Sequence, residues 1–255
     1  MGVYLVENNN SIARLFEGWE ETFIWSYLQG CMGIAYADSL AAPESVQISL
    51  GGFCFLAGAV NEDLIRNRPE NLNYNYVTLV SENQGWERAI EALYKEKALR
   101  QIRYATKKEK GVFCKEKLEE IVSTLPAEYE IVPIHREEYE KILSTKWSED
   151  ICINYSSYEE FEKMGLGFAI MRDGEIVSGA SAYTYFIGGI EIEIDTRKDE
   201  RRKGLASVCG ARLILECLER DLYPSWDAYN RESLALAEKL GYSFDREYPV
   251  YLVKF

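Results

Sequence analysis

The sequence predicts an α/β (α+β) fold: a mixed, mostly antiparallel sheet flanked by helices, with a smaller α/β domain in front of it. Three observations carry this expectation. Glycine-broken apolar runs at Gly51-Gly52, Asp173-Gly174 and Gly188-Gly189 mark tight turns of hairpins. After Thr196 the apolar spacing changes from period two to the three-and-four spacing of a helix. The polar, proline-containing stretch Thr124-Leu125-Pro126-Ala127-Glu128 follows a helical pattern and reads as a boundary. Domains 1–126 and 127–255 are expected.

In the first half, Ile12, Leu15, Phe16, Trp19, Phe23 and Tyr27 recur at helical steps, predicting one helix from Ser11 to Leu28. Strands are expected over 32–36 and, broken by the glycine pair, over 46–60. A short helix over 61–66 precedes Pro69, and a buried strand follows over 74–80. Helices over 85–95 and 115–123 flank an extended stretch over 99–105. Both halves contain a Gly-broken hairpin followed by strand and helix alternation. The first is therefore read either as a degenerate copy of the second or as an unrelated domain with a substrate or interface role.

The second half starts with a strand over 129–134 and a helix over 136–145. Ser157 and Glu160 fit a capping box for a helix over 156–163. Strands follow over 167–172, 175–186 and 190–196. Helices over 204–220 and 233–240 bracket a short strand near 225–228, and Tyr248 to Phe255 forms the last strand.

Composition narrows the chemistry. The formal charge is -13, so a basic nucleic-acid-binding face is not expected, while a cationic amine suits the surface. No apolar run approaches the roughly 20 residues that span a bilayer, and the first ten residues lack a basic, apolar leader. A cytoplasmic protein is expected, without membrane association, as a monomer or homodimer. The cysteines Cys31, Cys54, Cys114, Cys152, Cys209 and Cys217 show no CxxC pair and read as reduced, mostly packed thiols. His135 is the one histidine. It reads as a strand end or helix start rather than as a catalytic base, and no metal site is expected.

The informative segment runs from Ile190-Glu191-Ile192-Glu193-Ile194-Asp195-Thr196 through a charged loop into Arg201-Arg202-Lys203-Gly204-Leu205-Ala206. A strand passes through a basic turn into a helix whose start carries a glycine. Helix starts expose free N–H groups and a partial positive charge, so this reads as a pyrophosphate-binding turn.

Arg201, Gly204 and Ala206 match the pattern Arg or Gln, two residues, Gly, one residue, Gly or Ala. Downstream, Asn230 and Leu236-Ala237-Glu238-Lys239-Leu240-Gly241-Tyr242 match an Asn-to-Gly-aromatic segment. On these residues the stretch from Tyr129 to Phe255 resembles the GNAT superfamily of acyl-CoA-dependent N-acetyltransferases. In detail it resembles the branch that includes the zwittermicin A resistance acetyltransferases, whose chains carry an N-terminal extension domain. The resemblance implies a GNAT sheet, acetyl-CoA as acyl donor and a small amine as acceptor. It implies that backbone at Ile194, Asp195 and Thr196 pairs with pantetheine. It also implies that Arg201, Arg202, Lys203, Gly204, Leu205 and Ala206 hold the pyrophosphate, and that Asn230 and Ser233 lie beside the coenzyme arm. Asn230 and Ser233 also suit capping of the following helix.

Amine acetylation needs a base to take the ammonium proton and gains from an acid for the thiolate. Glu191, Glu193 and Asp195 share one strand face. They read as a solvated face or, preferably, as a carboxylate-lined acceptor cleft, with Glu193 the first choice of base and Glu191 the second. A bulge in the strand would change the faces. The family's usual tyrosine acid is replaced by Ala237, so Tyr242, Tyr248 or Tyr251 is the substitute to consider, and Tyr242 is taken as the candidate. Tyr183 and Tyr185 are candidate pocket walls. The alternative function is a non-catalytic acyl-CoA-binding or protein-interaction module.

Overall fold

The structure is a computed structural model that describes residues 2–70 and 72–254. The chain forms two compact units. One runs to Arg103 and resumes at Glu247; the other is Tyr104–Arg246. The crossings fall inside strands, and Thr124–Glu128 lies within the second unit, between a helix and a strand.

The first unit contains β1 (Tyr4–Leu5), α1 (Thr22–Leu28), β2 (Ile34–Ala37), β3 (Ser45–Leu50), β4 (Phe53–Gly58), α2 (Glu62–Arg66), β5 (Tyr76–Val80), α3 (Gln84–Tyr94) and the start of β6 (Ala98–Thr106). Strands β1 to β4 pair antiparallel in sequence order, with Leu50 opposite Phe53 across the glycine turn. β4 and β5 are parallel, as a connection through α2 allows. Asn61 and Asn83 cap α2 and α3, each accepting from backbone N–H groups of the first turn. Trp86, Leu56, Leu64, Leu79 and Ile90 centre the core of this unit.

The helix expected over 11–28 is broken. Short 3-10 turns at Asn9–Ser11 and Ala13–Phe16 precede α1. Gly18, between the second turn and α1, has φ +86°, a left-handed conformation that ends helical winding. Ile12 and Phe16 remain buried, so the apolar spacing reported the burial correctly but not the continuity.

The second unit contains α4 (Lys115–Ser123), β7 (Glu130–Pro133), α5 (Arg136–Leu143), α6 (Tyr158–Met164), β8 (Gly167–Arg172), β9 (Glu175–Phe186), β10 (Gly189–Thr196), α7 (Leu205–Glu219), β11 (Tyr223–Ser225), β12 (Asp227–Ala228) and α8 (Arg231–Leu240). β13 (Phe244–Lys254) begins here and ends in the first unit. The sheet order is β11-β10-β9-β8-β7, antiparallel except for the β10–β11 pair. This is the mixed, mostly antiparallel sheet the sequence predicts. α7 packs on β8, β9 and β10 and against α4, and its Leu205, Val208 and Leu213 are buried. Ser157 caps α6 by accepting from the Glu160 N–H, while the Glu160 carboxylate accepts from Ser156.

Candidate functional site: a splayed strand pair and an anion-binding turn

β10 and β11 pair only from Gly189↔Tyr223 to Glu191↔Ser225. Beyond Ser225 the chain turns away. The Trp226 carbonyl accepts from Thr106 Oγ1 at 2.6 Å, and β12 pairs with Tyr104 and Ala105. From Ile192 to Thr196, β10 pairs with β9 alone among the described residues. An open strand edge with unspent backbone groups takes an extended amide chain as an added strand.

β10 leads to the predicted turn. Arg202 and Gly204 both have positive φ, at 62° and 85°, so the chain doubles tightly into α7. The first bond of the helix runs from Val208 N–H to the Gly204 carbonyl, and the N–H groups of Leu205, Ala206 and Ser207 precede it. A Cβ on Gly204 would meet nothing within 4 Å, so the space over the turn is open. The turn fits a pyrophosphate by this opening and by its donors.

The predicted cations are not equivalent. Glu200, 3% exposed, accepts from Lys203 Nζ at 2.7 Å, Tyr129 Oη at 2.7 Å and Arg172 at 3.0 Å. These bonds, that from Lys203 foremost, hold the Glu200 carboxyl down at about 2. Arg201 donates to the Thr196 carbonyl at 3.0 Å and lies 4.0 Å from Asp195. Lys203 and Arg201 therefore brace the turn, and Arg202 stands exposed.

Asn230 caps α8, accepting from Ser233 N–H at 2.8 Å, and Ser233 Oγ accepts from the Trp226 indole at 3.2 Å. The capping expectation for Asn230 holds, and it fixes the Asn230 side chain where β11, β12 and α8 meet.

The opposite wall is acidic. A register shift between Glu191 and Ile192 leaves Tyr183 as the extra residue on β9, so alternation along β10 keeps Glu191, Glu193 and Asp195 on one face. Ile194 points the other way, towards Gly210 of α7. Glu193 pairs with Ser181 and Asp195 with Gly179. Over these two partners lies a 3-10 turn, Glu149–Ile151. Ser181 Oγ donates to the Ile151 carbonyl, and the Ile151 side chain occupies the space a Cβ on Gly179 would fill. Asp150 thereby arrives near Asp195. Burial first, then the Asp150 charge, pushes the Asp195 carboxyl up to about 6. Asp150 lay outside the sequence-based site, because nothing in local spacing brings residue 150 to residue 195. Glu191 is 3% exposed, whereas Glu193 and Asp195 are half-buried.

A raised carboxyl pKa means the fold favours the protonated acid. That stability is complete below about 3.8 and is lost as pH rises through about 6. Asp195→Asn is therefore expected to raise the melting temperature more at pH 8 than at pH 5. Equal shifts at both pH values would show that Asp195 titrates normally.

Tyr242 does not suit the acid role considered for it. It is 4% exposed, stacks edge-on with Phe113 and Trp226, and donates to the Pro224 carbonyl at 2.6 Å. Burial raises its pKa well above the usual value. Tyr242→Phe is expected to cost about 1–3 kcal/mol of stability by stranding a buried carbonyl, with turnover unchanged; denaturant melts and a rate assay check both. Tyr251 donates to Glu91 within the first unit. His135 only starts α5, its N–H donating to Glu138. Cys54, Cys209 and Cys217 are buried thiols pushed up to about 12. Among the described residues no group of His, Cys, Asp or Glu is placed to hold a metal ion, and no helix is long and apolar enough to cross a membrane.

The pattern of the GNAT acetyltransferase family matches residues 13–251. The chain belongs to that family. It is 29% identical to the uncharacterized N-acetyltransferase YdfB of Bacillus subtilis (strain 168), over 90% of this chain and 89% of that protein. It is 43% identical to a GCN5-related N-acetyltransferase-like protein from Streptococcus suis 89/1591, whose crystal structure superposes with a TM-score of 0.91 over 97% of this chain and 99% of that one. A tandem GNAT protein from the clavulanic acid biosynthesis pathway shares the fold at 10% identity, with a TM-score of 0.57 over 99% of this chain and 98% of its own. GNAT acetyltransferases use acetyl-CoA as donor.

Proposed function

We propose that the second unit transfers an acetyl group from acetyl-CoA to the amine of a small molecule. The observation that carries this reading is the combination on one strand, β10, of an open edge leading to an anion-binding turn and a half-buried acidic face. The coenzyme supplies an activated thioester carbonyl. Ile194 and Asp195 offer backbone groups to its pantetheine arm, while the Thr196 carbonyl is already engaged by Arg201. Arg202, Gly204, Leu205 and Ala206 receive the pyrophosphate, and Asn230 stands beside the arm with Ser233 below it.

On the acidic face, Glu193 takes the ammonium proton and frees the nitrogen lone pair. Asp195, charged above about pH 6, draws the cationic acceptor to that face. Glu191 is too enclosed for direct contact and shapes the floor. The other product is free CoA, its thiolate taking a proton from water.

The same reading places the chain in the branch that includes the zwittermicin A resistance acetyltransferases. The division into two compact units supports it, and we assign the first unit a role in acceptor selection. The test is a calorimetric titration with acetyl-CoA and CoA, followed by thiol-release assays across a panel of small amines. Failure of the folded protein to bind acetyl-CoA would overturn the proposal.

A further inference from the structure

We propose that the first unit is a second copy of the acetyl-transfer unit whose coenzyme groove is filled by its own side chains, so that each chain binds one acetyl-CoA. This inference rests on the reading of β10 and the start of α7 as the coenzyme site. The two units repeat one order of elements. β1 to β4 form an antiparallel meander, as β7 to β10 do. A helix then leads to a parallel strand in both, α2 to β5 and α7 to β11. Each parallel pair holds for three residues and then parts, Phe53↔Thr78 to Phe55↔Val80 in one and Gly189↔Tyr223 to Glu191↔Ser225 in the other. The next helix is capped in both by an asparagine, Asn83 on α3 and Asn230 on α8. The copies also trade their last strands: β13, which follows α8, pairs with β5, while β6, which follows α3, pairs with β12.

The shared register shows what the first copy has lost. Phe55 stands in the place of Glu191, where it packs on Phe23 of α1, and Ala57 stands in the place of Glu193. The position of the base is therefore a methyl group. Gly58 stands in the place of Ile194. The third residue of α8 is the small Ser233, but the third residue of α3 is Trp86. Trp86 is 0% exposed, and its indole donates to the Gly58 carbonyl at 3.1 Å. The ring takes the backbone acceptor that an extended amide chain would use between the parted strands. The helix start is shut as well. Where Gly204 leaves its turn open, Asn61 accepts from the Asp63 and Leu64 N–H groups at 2.9 and 3.4 Å, and Glu62 and Asp63 add negative charge. A phosphate would meet spent donors and two carboxylates at a helix of five residues.

The test uses the full chain. Calorimetric titration is expected to give one acetyl-CoA per chain, and Gly204→Glu to leave neither binding nor acetyl transfer. Hydrogen exchange read by mass spectrometry should show acetyl-CoA protecting 192–206, with 56–64 and 83–88 unchanged. The Trp86 indole N–H, assigned in NMR spectra by its loss in Trp86→Phe, should exchange slowly and keep its shift when acetyl-CoA is added. Two acetyl-CoA per chain, a site or transfer surviving in folded Gly204→Glu, or protection of 56–64 would each overturn the inference while leaving the proposed function standing. Because titration, transfer and exchange are read on chains with Trp86 intact, the test holds even if Trp86→Phe does not fold. No binding of acetyl-CoA by the wild-type chain would instead remove the proposed function, and this inference with it.

Discussion

Gly204→Glu is expected to abolish detectable acetyl-CoA binding, a loss of at least about 100-fold, while the protein remains folded. Two effects combine. Position 204 has φ +85°, where a residue with a Cβ costs about 1–2 kcal/mol. That strain alone does not unfold a domain of ordinary stability. The new side chain projects into the space left open over the turn and brings a carboxylate to donors suited to phosphate. Gly204→Ala separates the terms, since it carries the strain without the charge and should bind more weakly but measurably. Undiminished affinity in the folded Gly204→Glu protein would move the coenzyme site elsewhere.

The second large effect falls on the rate. Glu193→Gln is expected to lower kcat by about 10²–10⁴, the usual contribution of a positioned general base. Acetyl-CoA affinity should be unchanged, because the Glu193 side chain lies on the face opposite Ile194 and α7. Asp195→Asn should act differently, raising KM for the amine and removing the rise in kcat/KM through about pH 6. If Asp195→Asn instead gave the large fall in kcat and Glu193→Gln did not, the base would be Asp195.

Much of the second unit was legible because its signals are local. Asp173-Gly174 and Gly188-Gly189 set two turns, and the change of period after Thr196 set the end of β10. Arg201, Gly204 and Ala206 marked the turn into α7. The parts that were not legible are set by distant partners. Lys203 and Lys239 look alike in a sequence, but Glu200 takes the first and Ser207 receives the second. Tyr242 looked available until the Pro224 carbonyl claimed its hydroxyl. The Asp150 charge reaches Asp195 only because Gly179 makes room for Ile151. In the first unit, Gly18 broke a helix whose apolar spacing was otherwise sound.

The return of β13 to the first unit has a consequence for how the protein is made. Val250 pairs with Val80 and Val253 with Val77, with the whole of Tyr104–Arg246 in between. During synthesis, β5 must therefore wait on the order of 10 s for this partner at ordinary translation rates. The second unit is complete in the nascent chain before the first, reversing the order in which they begin. Until β13 emerges, β5 exposes an apolar edge, which makes the unfinished first unit the stage most exposed to aggregation and most dependent on chaperones.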